Sequence, residues 1–544
     1  MNFSTVITSD DTAKYRDAGW WSDRTILDDL EWNVRVRPSA EAIIDRDRRI
    51  TFDEYSENVG NLAAAFLQLG VAPGEIVSYQ LPNWAEANFL DLALVAVGAV
   101  PNPIMHVYRE RELSYILGKT RSRFFITVDD FRGHAFAEMA QRLQASQPNL
   151  EEIFVLGNRI PRQLSSFGDL LRCVPSAGTS QALAARRPRG GDVALVMFTS
   201  GTTSDPKGVM HTHNTLRHGA RVLQERTGVS PEEAILIVGP VGNATGSIAG
   251  VWLHLLMGAK CVWLDIWDPE CAAQLIEDER VVMVTPTPTP FPMGVIRRPG
   301  GKQFDLSSLR TWTSGGAPIP RELIFEAREA GFVLQAIYGS TECLWYCMHR
   351  FDDPPDKLVA TDGSPVEGME IRVVDEAGRE VQPGVPGEVL VRGPMRCAGY
   401  FEMPEVTANA FDADGWWHSG DLVSIDADGY VTAVDRKKDM IIRKGFNVYP
   451  AEIELLLAKH ASVSQVAVVG YPDAESGERG CAFIVTRQGH HPLDLPGLQA
   501  YLRSEGVATY KWPERIEQVD SIPMTASGKI QRSALRDLLV GATR

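Results

Sequence analysis

Apolar runs rich in β-branched residues alternate with helix-like segments through about the first 300 residues, and this alternation limits the fold more than any other feature. Clear examples are EIVSYQLP (75–82), SRFFITVDD (122–130), CVWLDI (261–266) and VVMVTPTP (281–288). Strands that alternate with helices are typical of layered α/β domains. The sequence therefore predicts an α/β fold in which the N-terminal part consists of layered subdomains.

The pattern changes beyond about residue 360, where short apolar runs follow one another between Gly, Pro and Asp turns. IRVVD (371–375), GEVLVRG (387–393) and GYVTAVD (429–435) predict a small β-rich subdomain. After the charged run DRKKD (435–439), the helix-like AEIELLLAKH (451–460) and two further strand-like runs predict a small α+β unit. We predict a large domain over 1–436 and a small C-terminal domain over 437–544.

Length and charge exclude several classes of protein. A chain of 544 residues is too long for one hydrophobic core. Lys and Arg total 54 against 70 Asp and Glu, and a net charge of −16 argues against a nucleic-acid partner or an anionic membrane surface. The most apolar window, 90–100, is too short to span a bilayer and contains Asp91.

The N-terminal sequence and the cysteines indicate the compartment. The first residues, MNFSTVITSDD, lack the basic and apolar regions of a secretory signal. The 7 cysteines form no CxxC pair, as is typical of reduced thiols in the cytosol. We therefore expect a cytoplasmic protein without a membrane span, and Cys343 and Cys347 could share a helix face without forming a metal site.

The stretch TSGTTSDPKG (199–208) is dense in hydroxyl residues and glycines and follows the apolar run VALVMF (193–198). Good helix formers follow at 213–226, so the sequence predicts a strand, a loop and a helix, a context that binds phosphate. The stretch is not a Walker A loop, because Pro206 precedes the lysine and Gly208 follows it. A polar surface turn is the alternative.

Further motifs follow this stretch in a fixed order. The set is TSGTTSDPKG (199–208), SGGAP (314–318), YGSTE (338–342), GWWHSGDL (415–422), DRKKDMIIRKGFNVYPAEIE (435–454) and TASGKIQR (525–532). Together these motifs resemble the acyl-adenylate-forming superfamily, which includes acyl-CoA synthetases, aryl-acid adenylating enzymes, peptide-synthetase adenylation domains and beetle luciferase.

The resemblance implies a reaction in two steps and a small, mobile C-terminal lid. A carboxylic acid and MgATP first give an acyl-adenylate and pyrophosphate. A nucleophile, usually the thiol of coenzyme A, then displaces AMP. The implied cofactors and co-substrates are ATP, Mg²⁺ and coenzyme A.

The resemblance also implies a nucleotide site. The residues expected around the β- and γ-phosphates are Thr199, Ser200, Gly201, Thr202, Thr203 and Lys207. The residues expected around the adenine are Gly315, Gly316, Ala317 and Tyr338, and Gly339 and Ser340 are also expected to bind the nucleotide.

The same resemblance assigns polar residues to individual groups of the nucleotide. Thr341 is expected to bond the α-phosphate and Glu342 to ligate Mg²⁺, which suits a single carboxylate acting with phosphate oxygens. Asp421 is expected to accept hydrogen bonds from the ribose hydroxyls, with Arg436 assisting. Read alone, an Asp after Gly in a turn is more often structural.

The lid carries the remaining expected roles. Lys529 matches the lysine that reaches the carboxylate and the α-phosphate in the first step, and Lys438 matches the hinge. The residues expected along the CoA path are Lys444, Gly445 and Phe446.

The sequence departs from the resemblance at two positions. Ser204 stands where a glycine is common, and Asn243 stands where many relatives carry His or an aromatic residue. An asparagine cannot gate the path of the thiol by stacking. The residues expected near the acyl pocket are small or apolar and include no charged side chain. They are Asn243, Ala244, Thr245, Gly246, Ser247, Cys343, Leu344 and Trp345.

These observations favour an acyl-CoA synthetase for a non-polar acid of the medium-chain, alicyclic or aromatic class. The partners are then a small carboxylic acid and CoA, and the chain is a monomer or a homodimer. A second hypothesis keeps the adenylation but uses an amine or a carrier-protein thiol as acceptor. A third is a non-catalytic protein that binds a nucleotide or an acyl group.

Overall fold

The computed structural model folds the chain into two compact units. The first takes its residues from 3–199, 206–370 and 391–417, and the second from 371–390 and 418–541. The residues that the structure describes are 3–199, 206–298, 303–316, 319–443, 446–473, 476–525 and 529–541.

Strands and helices are numbered here in chain order. The strands are β1 (Glu41–Asp45), β2 (Arg48–Thr51), β3 (Ile76–Gln80), β4 (Val100–Pro103), β5 (Phe124–Val128), β6 (Glu152–Leu156), β7 (Ser165–Ser166), β8 (Val193–Thr199), β9 (Lys207–Thr212), β10 (Ala234–Ile237), β11 (Lys260–Trp263), β12 (Val281–Thr287), β13 (Thr311–Ser314), β14 (Val333–Ser340), β15 (Leu344–Met348), β16 (Ser364–Pro365), β17 (Glu370–Val374), β18 (Gly387–Arg392), β19 (Gly399–Tyr400), β20 (Trp417–Ile425), β21 (Val431–Arg436), β22 (Ile441–Arg443), β23 (Phe446–Val448), β24 (Val463–Asp473), β25 (Gly477–Thr486) and β26 (Arg515–Gln518). The α-helices are α1 (Ser9–Asp17), α2 (Ile26–Val36), α3 (Phe52–Gln68), α4 (Ala85–Ala96), α5 (Glu110–Thr120), α6 (Phe136–Ser146), α7 (Phe167–Leu171), α8 (Thr179–Arg186), α9 (His213–Thr227), α10 (Ala244–Ser247), α11 (His254–Met257), α12 (Pro269–Asp278), α13 (Pro290–Ile296), α14 (Arg321–Glu329), α15 (Pro355–Ala360), α16 (Pro404–Ala410), α17 (Pro450–Leu457), α18 (Leu495–Ser504) and α19 (Arg532–Gly541).

The described residues of the first unit form three sheets. The largest has nine strands in the order β16-β15-β14-β13-β12-β10-β11-β1-β2, and its central strands are parallel. A second sheet, β4-β3-β5-β6-β7, is parallel throughout, and a third, β19-β9-β8, is antiparallel. Parallel strands need helical crossovers, which is why strands and helices alternate in the sequence. The predicted α/β class is confirmed.

Helix α4 lies in the core of the first unit. Every one of its 12 residues is buried, including Asp91, which accepts a hydrogen bond of 2.9 Å from the Tyr79 hydroxyl of β3. Burial raises the pKa of the Asp91 carboxyl to about 7. The apolar window at 90–100 thus lies mostly in a core helix and ends at the first residue of β4. No helix among the described residues is long and apolar enough to cross a membrane.

The second unit contains the predicted β-rich segment and the predicted α+β segment. The β-rich segment forms the sheet β17-β18-β20-β21, and the C-terminal residues form the sheet β23-β22-β25-β24, to whose strand β25 β26 adds in parallel. Ile453 and Leu457 of α17 pack with Val468 and Ile484 in the core that the C-terminal sheet forms with this helix. The boundary between 436 and 437 stays a prediction.

Five histidines are buried in the first unit, and none of them contacts bulk water appreciably. They are His211, His213, His218, His254 and His349. Burial lowers the pKa of His211, His218 and His349 to about 4 and that of His213 and His254 to about 3. All five are therefore neutral at pH 7.

This burial predicts acid sensitivity. The unfolded chain takes up a proton at each histidine near pH 6.5, whereas the folded chain does so only near pH 4 or 3, so stability is intact above about pH 6.5 and falls below it. Each buried histidine contributes a slope of about 1.4 kcal/mol per pH unit in that window. His254→Gln should reduce the pH dependence of the urea unfolding midpoint between pH 6.5 and 5, whereas His490→Gln, at an exposed position, should leave it as in the wild type. Equal slopes in all three proteins would contradict the assignment.

Candidate active site

The residues that flank the predicted phosphate loop face each other across a β-hairpin. Thr199 ends β8, Lys207 begins β9, and the two residues pair in the antiparallel register. The Thr199 hydroxyl donates a 3.5 Å hydrogen bond to the Lys207 carbonyl. The remaining predicted loop residues, Ser200, Gly201, Thr202, Thr203 and Ser204, lie outside the described residues.

The predicted order of strand, loop and helix is wrong in one respect. Strand β9 lies between the loop and helix α9, which begins only at His213. The apolar residues of KGVMHT form this strand because β9 pairs on both sides, with β8 and β19. The amino end of α9 therefore does not follow the loop directly, and Lys207 is held by a sheet.

The YGSTE motif forms the end of β14 and a tight turn into β15. A Cβ on Gly339 would lie 1.8 Å from the Leu344 carbonyl oxygen, so only glycine fits there. Leu344 closes the turn with a φ of 52°, a left-handed conformation that is uncommon for a side chain branched beyond Cβ. The Tyr338 ring packs edge-on against Tyr346 with ring centroids 4.9 Å apart. The predicted nucleotide residues of this motif are thus fixed by backbone geometry.

Three groups from neighbouring segments hold Thr341 and Glu342 in this turn. Nε2 of His211, on β9, lies 2.7 Å from the Thr341 carbonyl oxygen. The Cys397 amide donates to the Glu342 carbonyl at 2.7 Å, and the Tyr400 hydroxyl donates to Oε1 of Glu342 at 2.9 Å. The sheet β19-β9-β8 and the segment that leads into it therefore bind the turn at the carbonyls of Thr341 and Glu342 and at the Glu342 carboxylate.

The protonation state of His211 follows from its surroundings. Its pKa is lowered to about 4 by burial, so the ring is neutral. A carbonyl oxygen can only accept, so Nε2 carries the proton and donates to Thr341, and Nδ1 lies 3.0 Å from the Thr215 hydroxyl. Sequence reasoning missed His211, Cys397 and Tyr400, because their contacts are long-range and, for Cys397, involve only the backbone.

The glycines predicted beside the adenine also fulfil a backbone requirement. A Cβ on Gly315 would lie 2.2 Å from the Ile337 carbonyl oxygen of the adjacent strand β14, and Gly316 has a φ of 83°. The ends of β13 and β14 can therefore approach closely only with glycine here. Ala317 lies outside the described residues.

The segment predicted to line the acyl pocket, 243–247, forms the N-cap and the four residues of the short helix α10. Asn243 caps α10, with its Oδ1 accepting from the Thr245 amide at 3.2 Å. A Cβ on Gly246 would lie 2.1 Å from the Pro240 carbonyl oxygen. A π-helical segment, Ile248–Leu253, follows directly, and such segments are frequent at functional sites. Ala244 and Ser247 are buried in the same helix.

Cys343 and its neighbours belong to the turn and to β15. Burial raises the pKa of the Cys343 thiol well above its usual range, so the thiol is neutral. The expectation that Cys343 and Cys347 share a helix face is wrong, since Cys347 lies on strand β15. The indole of Trp345 donates to the Gly219 carbonyl of α9 at 2.8 Å.

In the second unit, Asp421 and Arg436 are direct partners on β20 and β21, and Arg436 Nε lies 3.1 Å from Asp421 Oδ1. The Asp421 amide donates to the Ser419 hydroxyl at 3.0 Å, which orients the start of the pair. Lys438 follows two residues later, and its pKa is lowered by burial and by the charge of Arg436. These three predicted residues therefore lie together.

Lys529 lies on the surface of the second unit. Its amide donates to the Thr525 hydroxyl at 3.0 Å, and its carbonyl accepts from the Thr525 amide at 2.6 Å. Phe446 is 57% exposed, with its ring centroid 5.0 Å from that of Tyr510. Lys444 and Gly445 lie outside the described residues.

The residues present suit a magnesium ion that is bound mainly through a nucleotide. No cluster of three or more His, Cys, Asp or Glu side chains that could hold a metal ion occurs in the described part of the chain. Mg²⁺ in phosphate sites typically takes one or two carboxylates and completes its shell with waters and phosphate oxygens. The half-buried carboxylate of Glu342 fits that use.

Sequence comparison places this arrangement in a family. The family description "AMP-binding enzyme" matches residues 30–401, and "AMP-binding enzyme C-terminal domain" matches residues 452–529. The chain belongs to the AMP-binding enzyme family. The predicted resemblance to adenylate-forming enzymes is confirmed.

Individual relatives of this AMP-binding enzyme are similar over nearly their whole length. A medium-chain fatty-acid–CoA ligase of Escherichia coli (strain K12) is 35% identical over 96% of this chain and 92% of its own. The crystal structure of the anthranilate CoA ligase AuaEII in complex with anthranoyl-AMP has a TM-score of 0.85 and 27% identity, over 96% and 98% of the two chains. The amide bond synthetase McbA from Marinactinospora thermotolerans has a TM-score of 0.81 and 28% identity, over 94% and 99%.

The contact of His211 with Thr341 predicts a loss of activity without a loss of fold. His211→Leu removes the donor from a buried carbonyl, an effect of about 1–3 kcal/mol, so we expect ATP–pyrophosphate exchange to fall about tenfold or more. His218→Leu is the matched control, because buried His218 bonds the carbonyl of Glu367 instead, at 2.8 Å. Thermal unfolding measures the stability of both variants. Equal exchange rates in two variants of equal stability would show that His211 has no special link to the turn.

Proposed function

We propose that this enzyme activates a non-polar carboxylic acid of the medium-chain, alicyclic or aromatic class as an acyl-AMP and then transfers the acyl group to coenzyme A. The observation that carries the proposal is the turn at 338–342, which is held against the strand that begins with Lys207. This arrangement links a ring for the adenine, a carboxylate for a metal ion and a cation for phosphates. The names of the relatives, a fatty-acid–CoA ligase and an anthranilate CoA ligase, support the same reaction class.

In the first step, a carboxylate oxygen attacks the α-phosphorus of ATP, and the bond from that phosphorus to the bridging oxygen of pyrophosphate breaks. A carboxylic acid with a pKa near ~4 is already ionised at pH 7, so no general base is needed. The step requires that two anions be brought together and that developing charge be neutralised. Lys207 with the loop at 199–203, Thr341 and Lys529 would supply these charges and donors.

Mg²⁺ would be held by Glu342 and would neutralise part of the phosphate charge when bound. Tyr338, Gly315 and Gly316 would position the adenine, and Asp421 with Arg436 would position the ribose. The fit of one half-buried carboxylate to a magnesium ion supports this assignment.

In the second step, the sulfur of CoA attacks the acyl carbon, the bond from that carbon to AMP breaks, and the thiol proton is released. We infer that residues 437–544 act as a lid that turns near Lys438 between the steps and presents the stretch at 444–446 to the thiol. The position of Lys438 between β21 and β22, where the chain passes from one sheet to another, supports a hinge there.

The acid class rests on the residues around the predicted pocket. The segment Asn243–Ser247 is small and carries no charge, and the Cys343 thiol is neutral. Neither could pair with a charged group on the acyl chain. A non-polar acid is therefore favoured over a dicarboxylate or an amino acid.

An amine acceptor is the second candidate for the final step. It is favoured by the similarity to an amide bond synthetase and by Asn243, whose side chain caps its own helix in place of the His or aromatic side chain expected there. In that case the enzyme would release the acyl group to an amine.

Mass spectrometry of one incubation tests the proposal. The enzyme is mixed with MgATP, CoA and a panel of aliphatic, alicyclic and aromatic acids. We expect one class of acid to give acyl-CoA, AMP and pyrophosphate. Acyl-AMP that accumulates without thioester would favour the amine acceptor, and formation of ADP would contradict both candidates.

Replacement of Lys529 separates the two steps. Lys529→Ala should slow acyl-AMP formation by several orders of magnitude, because the cation between the two reacting anions is lost. It should leave the reaction of synthetic acyl-AMP with CoA nearly unchanged. Lys459→Ala, at another exposed lysine of the second unit, is the control. Equal slowing of both steps in Lys529→Ala would contradict the assignment of Lys529 to the first step.

A further inference from the structure

Tyr400 contacts two of the proposed ligand-binding residues at once. Its hydroxyl donates to Oε1 of Glu342 at 2.9 Å, and Lys207 Nζ lies over its ring, 5.1 Å from the centroid. Glu342 lies in the turn between β14 and β15 of the nine-stranded sheet, whereas Lys207 begins β9 of the three-stranded sheet. Tyr400 is therefore a shared support for the carboxylate and the cation.

The surroundings of Tyr400 fix its position. The side chain is 4% exposed, and β19 pairs Tyr400 with Val209 of β9, two residues after Lys207. The Tyr400 amide donates to the Thr407 hydroxyl at 3.1 Å, and the Phe401 amide donates to the Gly208 carbonyl at 2.7 Å. A tyrosine hydroxyl ordinarily has a pKa of about 10, so it is a hydrogen-bond donor at neutral pH.

The two contacts have different physical effects. A hydrogen bond from a neutral hydroxyl to a carboxylate fixes the direction of the carboxylate and occupies one of its two oxygens. The face of a tyrosine ring attracts an ammonium group without neutralising it, so Lys207 keeps its full charge for an anion. Tyr400 therefore orients both groups while it leaves each able to bind a ligand.

We propose that Tyr400 is a positioning residue that sets the magnesium requirement of nucleotide binding through Glu342 and the affinity for the β- and γ-phosphates through Lys207. This inference rests on the proposed function. The Tyr400 hydroxyl acts on Glu342 and the Tyr400 ring acts on Lys207, so two substitutions can separate the two effects.

Tyr400→Phe removes only the hydroxyl. The concentration of Mg²⁺ that gives half-saturation of ATP binding should rise about tenfold, because a bond to a charged group is lost and the carboxylate is free to turn. The affinity for AMP without Mg²⁺ should change less than twofold, since AMP lacks the phosphates concerned. The affinity for pyrophosphate in EDTA should also stay as in the wild type, because the ring remains under Lys207.

Tyr400→Leu removes the ring as well. It should show the same change in magnesium requirement and, in addition, a loss of about threefold or more in pyrophosphate affinity in EDTA, the size expected for a cation–π contact. In a Glu342→Gln background, Tyr400→Phe should have no further effect on the magnesium requirement, because the carboxylate that the hydroxyl orients is absent. All affinities are measured by isothermal titration calorimetry on the full chain.

Tyr79→Phe is the matched control, because it also removes a buried tyrosine hydroxyl from a carboxylate, that of Asp91, at the same distance of 2.9 Å. It should leave the magnesium requirement unchanged. Tyr400→Phe with the magnesium requirement of the wild type, or with AMP and ATP weakened equally, would overturn the inference. If the wild-type chain bound neither AMP nor ATP, the proposed function itself would fail, which is a separate result.

Discussion

The hydrogen bonds that tie the turn at 341–342 to the sheet β19-β9-β8 are the contacts on which the candidate site depends. Thr341 and Glu342 lie in the short turn after β14, and His211, Cys397 and Tyr400 from other segments set the position of that turn. Lys207 is the first residue of β9, the central strand of the same sheet. Lys207 and the Glu342 carboxylate are distant in sequence, and the same sheet therefore positions both of them.

These contacts from other segments, together with burial, explain why the turn tolerates an unfavourable backbone conformation. Leu344 has a φ of 52°, which costs on the order of 1 kcal/mol for a residue other than glycine. Its side chain is 2% exposed, so burial in the core offsets that cost. Gly339 and Gly315 contribute in the opposite way, because the absence of a Cβ lets neighbouring strands approach. Packing and backbone geometry together keep Tyr338, Thr341 and Glu342 in place before any ligand arrives, which lowers the ordering cost of binding.

Much of this could be read from the sequence, and the rest depends on tertiary contacts. Strands such as β5 and β12 are continuous apolar runs bounded by turns, and parallel buried strands produce that pattern directly. The motif order predicted Lys207, Glu342 and the Asp421–Arg436 pair, and the structure places the members of that pair on facing strands. Strand β9 was missed because KGVMHT is short and its partner β19 lies far along the chain. Tyr400 was missed because it is 58 residues from Glu342, and periodicity carries no information about such a contact.

We propose that these residues are arranged for attack of a carboxylate on the α-phosphorus of ATP. The most direct measurement uses an acid of the reactive class with ¹⁸O in both carboxylate oxygens, together with MgATP and CoA, and determines the mass of the products. Attack at the α-phosphorus leaves one ¹⁸O in AMP and none in pyrophosphate. Label in inorganic phosphate, with ADP as the nucleotide product, would show attack at the γ-phosphorus and contradict the account.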